Sequence, residues 1–443
     1  MPLDFANANT LCTSVFVQTL TQLGLRLAVL CPGSRCTPLT VSFAAHPEIE
    51  AISILDERSA AFFALGHAKQ TGNPVVLVCT SGTAGANFYP AIIEAHHAHV
   101  PLLVLTGDRP PELRHCHAGQ TIDQLKLYGH YPQWQAELAP PDATLNAARY
   151  WRQMALQAWR SCHLPHRGVV QLNCPFREPL APIAQPETAE LPNQIDPETF
   201  FAHCQPLRFP ASEPLMLPPL STGQGIIIAG LAQPDDPAAY AQAVAQLATQ
   251  TQYPVLAAGL SPLRNWAALN PALITQYEAI LRDRTLAAQL IPQRVIQLGE
   301  LPTSKVLRQW LDQHQPSRWI IGPEPENFDP LHGPSEVFVG AIEQGVEFDN
   351  GEPGDIPYLD QWQALERQFG ERLAGAIAPL TEPFEGKVAW LLSRHLPADT
   401  PVMIANSMPV RDVDYFWQGG DRHLRPYFNR GANGIDGTLS TAL

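Results

Sequence analysis

Apolar positions in the first third of the chain follow two spacings in turn. Cys12, Val15, Phe16, Leu20 and Leu23 recur three and four residues apart, which puts them on one face of a helix that Gly24 stops. Near-continuous apolar runs follow at 26–31 (RLAVLC), 51–55 (AISIL), 74–79 (PVVLVC) and 101–106 (PLLVLT), with a last one at 168–173 (RGVVQL). Runs of this kind, separated by helical segments of about 10–15 residues, predict a parallel sheet covered on both faces. The expected class is α/β.

The pattern then breaks. Eleven prolines fall between Pro175 and Pro219, too many for a packed sheet or a regular helix, and predict a linker crossing the surface. A second αβ unit follows, with strands near 225–229, 254–257, 294–298 and 318–321 and helices near 237–250 and 303–313. The turn-rich stretch 343–357 closes it. Helices near 359–378 and 385–395 and a strand at 401–405 open a third unit, which stops at Leu443 inside "GTLSTAL", the first turns of a helix. So short a unit has little core of its own, and the sequence is expected to be a fragment of a longer protein.

Composition narrows the class. The 443 residues are 45% hydrophobic and 16% charged, as a globular chain is, and no apolar run approaches the ~20 residues that span a bilayer. The N-terminus lacks a basic patch followed by an apolar stretch, so a soluble cytoplasmic protein is expected. A net charge of −14 opposes adhesion to nucleic acid or anionic membranes, which makes converging basic residues more telling. Eight scattered cysteines without a Cys-x-x-Cys pair predict reduced packing residues.

In a parallel αβ sheet, ligands bind outside the carboxyl ends of the strands. The turns expected there are Pro32-Gly33-Ser34-Arg35, Asp56-Glu57-Arg58, Thr80-Ser81-Gly82-Thr83 and Gly107-Asp108-Arg109. Asp56 reads as a helix N-cap. Glu57 is favoured by the helix dipole, yet the packed run Ser59 to Phe63 behind it predicts a carboxyl held away from water with a raised pKa. His96 and His99 share a helical face without a third metal ligand nearby, so a helix end is the better reading. His115 and His117 flank Cys116 in a polar loop that predicts a substrate lid. "GQGIIIAG" at 223–230 places its glycines before the strand, which rules out a phosphate-cradling NAD turn.

Taken together, "CPGSRCTPLT", "LDERSAAFFALGHAK", "TSGTAGANFYPAIIEA", "LTGDRPPEL", "NCPFREPL", "ANSMPVRDVD" and "NRGANGIDGTLSTA" closely resemble the MenD family of thiamine-diphosphate-dependent carboligases of menaquinone and phylloquinone biosynthesis. The resemblance runs from about residue 10 to 443 and is weaker through the middle. It implies a pyrimidine-binding domain at 1–180, a Pro-rich linker at 181–220, a central transhydrogenase-like domain at 221–345, a linker and helix at 346–380 and the start of a diphosphate-binding domain at 381–443. It also implies catalysis between subunits of a homodimer or homotetramer.

The reaction implied is decarboxylation of 2-oxoglutarate and addition of the remaining unit to isochorismate. Glu57 would be catalytic, hydrogen-bonded to the coenzyme's aminopyrimidine. Substrate binding falls to Ser34, Arg35, Arg109, Gln120, Lys305, Ser407, Arg411 and Arg430; Thr80, Ser81, Gly82, Ser407 and Ile435 join Glu57 around the coenzyme. Lys305 comes from the less similar middle. Gly119 stands where the family often has Asn. The family's Mg2+ (or Mn2+) site, a Gly-Asp-Gly motif with a later Asn, has no match here and is expected beyond Leu443, which would leave this chain inactive. The alternative is a non-catalytic assembly or regulatory module of the same fold. Another thiamine-diphosphate decarboxylase is disfavoured by "NRGANGIDG".

Overall fold

The computed structural model describes residues 3–207, 213–220, 223–350 and 352–443. The chain divides into two compact units, Met1–Phe209 with Asn429–Leu443, and Pro210–Phe428. Among the described residues no helix is long and apolar enough to cross a membrane.

The first unit opens with α1 (Ala8–Leu23), capped by Asn7 and closed at Gly24. β1 (Leu27–Leu30), α2 (Thr37–Ala45), β2 (Glu50–Ser53), α3 (Glu57–Thr71), β3 (Val75–Cys79), α4 (Tyr89–His97), β4 (Leu102–Asp108), β5 (Trp134–Glu137), α5 (Leu145–His163) and β6 (Val169–Pro175) follow. The sheet order is β2-β1-β3-β4-β6-β5, and every pairing is parallel. β5, whose residues are all half-buried, carries no apolar run and escapes a sequence reading. Because successive side chains point to opposite faces, Ala28, Leu30, Val76 and Val78 pack with α1 and α5, while Leu27, Val29, Val75 and Leu77 pack with α3 and α4. Phe16 meets Trp151 edge-on at 5.9 Å within the first of these layers.

Part of the proline-rich stretch is buried against the first unit and does not cross its surface. It holds α6 (Pro197–Phe201), and Leu191, Ile195, Phe200, Phe201 and Cys204 are buried against Leu11, Val15 and Ala148. Asn7 and Asn9 donate to the carbonyls of Ala181, Ile183, Arg177 and Pro179, which satisfies backbone that prolines leave without a sheet partner. Residues 208–212 of the expected linker lie outside the described residues.

The second unit comprises β7 (Leu215–Leu217), β8 (Gly225–Ala229), α7 (Pro237–Thr251), β9 (Val255–Ala257), β10 (Leu273–Ile274), α8 (Tyr277–Arg282), α9 (Arg284–Gln289), β11 (Arg294–Leu298), α10 (Lys305–His314), β12 (Ser317–Gly322), β13 (Ser335–Val339) and β14 (Val346–Phe348). α11 (Ile356–Ile377), α12 (Glu385–His395), β15 (Pro401–Met403), α13 (Met408–Phe416) and β16 (Arg425–Tyr427) complete it. Its main sheet is also six-stranded and parallel, in the order β10-β9-β8-β11-β12-β13. The stretch expected as turns at 343–357 contains β14, paired with β7. α11 buries Tyr358 and Trp362 against Ile226, Ile228 and Leu256 of the sheet, so it is core of this unit. α14 (Thr438–Ala442) lies in the first unit.

Candidate functional site

All-parallel pairing puts the turns after β1, β2, β3 and β4 on one edge of the first sheet. Arg35 begins there, almost wholly buried. Its Nη1 donates to the Phe176 carbonyl at 2.8 Å and its Nη2 lies 3.4 Å from the exposed Glu178 carboxylate. Its Nε is buried without a partner. Burial first, and then the nearby Arg109 guanidinium, hold Arg35 below the ordinary arginine pKa. A like-charged pair with an unsatisfied donor is what an anionic ligand would relieve.

Arg109 Nη1 donates to the Ser81 hydroxyl, and Gln120 Nε2 donates to the Ser81 carbonyl at 2.9 Å. Ser81 therefore ties two expected substrate residues to the turn after β3. Gly82 sits at φ 86°, and a Cβ there would come within 2.8 Å of Gln120 Cγ, so the turn requires glycine for both conformation and space. Thr80 and Ser81 are buried; Ser34 and Gln120 are exposed.

Glu57 starts α3 from the same edge. Asp56 caps the helix, accepting the Ser59 N–H at 2.8 Å, as its position predicted. Ala60, Ala61 and Phe62 are fully buried, yet Glu57 itself is half-buried in this chain, less enclosed than the sequence suggested. Burial pushes the Cys31 thiol up to about 12, with the Glu57 carboxylate adding to it.

Residues that the sequence did not single out hold this edge together. Gln124 accepts the Gly82 N–H at 2.8 Å and donates to the Gly107 carbonyl and to Asn173 Oδ1 at 3.2 and 2.9 Å. Asn173 donates in turn to Asp108 at 2.8 Å and Glu137 at 2.9 Å, and Arg114 bridges the same two carboxylates at 3.0 and 2.7 Å. Burial raises the Asp108 pKa; Asn173 and Arg114 act against it. The one sequence signal was polar Gln171 and Asn173 in an otherwise apolar strand. The loop after β4 lines a cavity of about 580 Å³ with Arg114, His115, His117 and Gln124. His115, His117 and Gln120 all adopt positive φ, 56°, 57° and 59°, in that loop.

Other expected residues lie elsewhere. Arg430 and Ile435 belong to the first unit, but Gly431 packs on Glu94 and Ala98 at the end of α4 that leads into β4. That places Arg430 toward the amino edge of the sheet, away from the turn that holds Glu57, and Ile435 is 73% exposed. Lys305, Ser407 and Arg411 belong to the second unit. Lys305 is exposed in the first turn of α10, which Ser304 caps by accepting the Leu307 N–H at 3.0 Å. Ser407 precedes α13 with φ 74°, a strained conformation for a serine and of the kind found at ligand sites. Its carbonyl accepts from Arg411 Nη1 at 2.7 Å. α13 is fixed from below: fully buried Arg264 donates to the carbonyls of Ala257, Val413, Asp414 and Trp417, and Asp414 accepts from Tyr277 and the Gly259 N–H.

The histidines of "HHAH" serve packing. His96 meets His97, His130 and Tyr131, and His99 meets His166. Among the described residues no cluster of three or more His, Cys, Asp or Glu could hold a metal ion. Seven cysteines are buried, and Cys116 is exposed; none is in a disulfide.

Family models place this geometry. Residues 12–127 match the thiamine pyrophosphate enzyme N-terminal TPP binding domain, and 208–404 match the middle domain of thiamine pyrophosphate enzymes. The fold is that of a thiamine-diphosphate enzyme. A protein of Microcystis aeruginosa named 2-succinyl-5-enolpyruvyl-6-hydroxy-3-cyclohexene-1-carboxylate synthase is 54% identical over 444 residues, covering 100% of this chain and 78% of its own length. Proteins of the same name from Gloeothece citriformis and Rippkaea orientalis are 55% and 54% identical, again over 100% of this chain and over 78% and 76% of theirs. The chain belongs to the 2-succinyl-5-enolpyruvyl-6-hydroxy-3-cyclohexene-1-carboxylate synthase family.

Proposed function

We propose that this chain uses thiamine diphosphate to decarboxylate 2-oxoglutarate and to join the remaining four-carbon unit to isochorismate, giving 2-succinyl-5-enolpyruvyl-6-hydroxy-3-cyclohexene-1-carboxylate. The observation that carries this reading is the buried Arg35 with an unsatisfied Nε, beside Arg109, on the same sheet edge as Glu57. Both substrates are dianions, and an acidic protein needs such local cations to hold them.

The residues present fit the coenzyme's pyrimidine half: a carboxyl at a helix start, buried Thr80 and Ser81, and a glycine turn with no room for a side chain. When bound, thiamine diphosphate supplies the nucleophilic carbon for attack on a keto group and the electron sink for loss of carbon dioxide. Glu57 would hold a proton against a ring nitrogen of the aminopyrimidine, and its half-buried position lets a carboxyl exchange that proton. Arg35 and Arg109, with Ser34 and Gln120, would bind substrate carboxylates, for which the planar guanidinium is better suited than an ammonium. Lys305, Ser407, Arg411 and Arg430 would add contacts, and Ile435 an apolar one to the coenzyme. Mg2+ or Mn2+ would neutralise the diphosphate; none of the residues named here is assigned to it.

Arg430 lies toward the amino edge of its own unit, which supports a homodimer or homotetramer in which a second copy completes the site. The test is incubation with thiamine diphosphate, magnesium, 2-oxoglutarate and isochorismate. Release of carbon dioxide with formation of the coupled product is expected. Absence of both would favour either the inactive chain that the sequence led us to expect or a non-catalytic assembly or regulatory module.

A further inference from the structure

Glu94 lies on α4 with no exposed side-chain surface, among buried Ala91, Ile92 and Ala95. Its carboxylate is fully engaged. Oε1 accepts the Gly431 N–H at 3.0 Å and lies 3.4 Å from Lys69 Nζ on α3. Oε2 accepts the N–H groups of Ala432 and Asn433 at 2.7 and 2.9 Å. Burial alone would raise this carboxyl's pKa, but Lys69 and the three N–H donors outweigh it and hold the group below its ordinary value. An ion buried at this depth persists only when paired and hydrogen-bonded, and here three consecutive backbone donors from 337 or more residues away supply the bonds.

The acid reads backbone, so it fixes the path of the segment through its N–H groups and not through its side chains. Gly431 fits so closely that a Cβ would lie 2.9 Å from the Glu94 carbonyl and 3.0 Å from the Ala98 nitrogen. Beyond it, Gly437 rests on Phe62 and the Thr441 carbonyl on Gly66, so α14 lies along α3. Asn429 donates to Thr441 at 2.9 Å and closes the segment on itself.

We propose that Glu94 is a positioning residue: with Lys69 as counter-ion it clamps residues 431–433 and thereby sets the orientation of Arg430 and Ile435. The functional half of this proposal rests on the assignment of Arg430 to substrate; the clamp does not. Glu94→Gln in the full chain should leave at least one of the three backbone donors, and the Lys69 ammonium, facing an amide nitrogen in place of an acceptor. Hydrogen exchange at Gly431, Ala432 and Asn433 should then accelerate roughly tenfold or more, while β1 to β4 keep their protection. KM for the dianionic substrates should rise by more than kcat falls, because the displaced segment acts on the substrates through Arg430 and on the coenzyme only through Ile435. Gly431→Ala, which leaves α3 and α4 intact, should reproduce both effects from the other side of the contact. Unchanged exchange at 431–433 in either folded variant would refute the clamp. Faster exchange with unmoved KM, while Arg430→Ala raises KM, would refute the positioning role. Unmoved KM in Arg430→Ala itself would overturn the substrate assignment and, with it, the functional half of the proposal.

Discussion

The two units present the same architecture with opposite chemistry at the carboxyl edge of the sheet. In the first, the turns carry Arg35, Arg109, Glu57 and the Ser81–Gly82 turn, and that last turn is tied to Arg109 and Gln120 through Ser81 and to Gly107 through Gln124. In the second, the corresponding cavity of about 280 Å³ is lined by Leu231, Ala232, Gly299 and Ala341 with Glu300 and Glu343, and no Lys or Arg lines it among the described residues. Burial raises the Glu343 pKa, and Asp235 and Asp236 push the same way. A parallel sheet thus supplies a crevice in both units, but among the described residues only the first lines its cavity with an arginine, Arg114. Position on a fold offers a site; the cations and the network beneath them decide what it binds.

That contrast can be broken most severely at Glu57. Glu57→Gln should lower turnover by about 100-fold or more while leaving the circular dichroism spectrum unchanged, since a proton-transfer group typically contributes 10²–10⁴. Arg35→Met should weaken binding of the dianionic substrates by roughly 10–150-fold, corresponding to about 1.5–3 kcal/mol for a hydrogen bond to a charged group, as read by titration calorimetry. Gln124→Ala should destabilise the protein by about 1–3 kcal/mol in denaturant unfolding, because the Gly82 N–H and Asn173 Oδ1 lose a buried partner.

The smallest effect belongs to the second edge. Glu343 has its folded pKa above the ordinary 4.5, so the folded state holds this proton more tightly than the unfolded one. Its contribution is fully present below the unfolded value and is lost as pH rises through the folded one. Glu343→Gln should flatten that fall in melting temperature and leave turnover unchanged. A large loss of activity would mean that the second edge takes part in the chemistry.

The sheet of the first unit was legible because β1, β3, β4 and β6 are buried along their whole length and read as near-continuous apolar runs. β5 was not, since an edge strand of half-buried residues has no such signature. The proline-rich stretch misled for a physical reason: prolines exclude a sheet, but they do not exclude burial, and Phe200, Phe201 and Leu191 found a core of their own. At the site, the turns could be placed from topology alone. The Gln124–Asn173–Asp108 network could not, because its bonded members lie 49 and 65 residues apart and meet only after folding. Glu94 was equally hidden, because the three N–H donors that single it out lie 337 to 339 residues further along the chain.

Exchange of the thiazolium C2 proton of thiamine diphosphate against deuterium, followed by NMR in the presence of the wild-type chain and of Glu57→Gln, addresses the central claim most directly. The expected result is strong acceleration by the wild-type protein that the substitution removes. Equal exchange with both proteins would contradict the role of Glu57 at this edge.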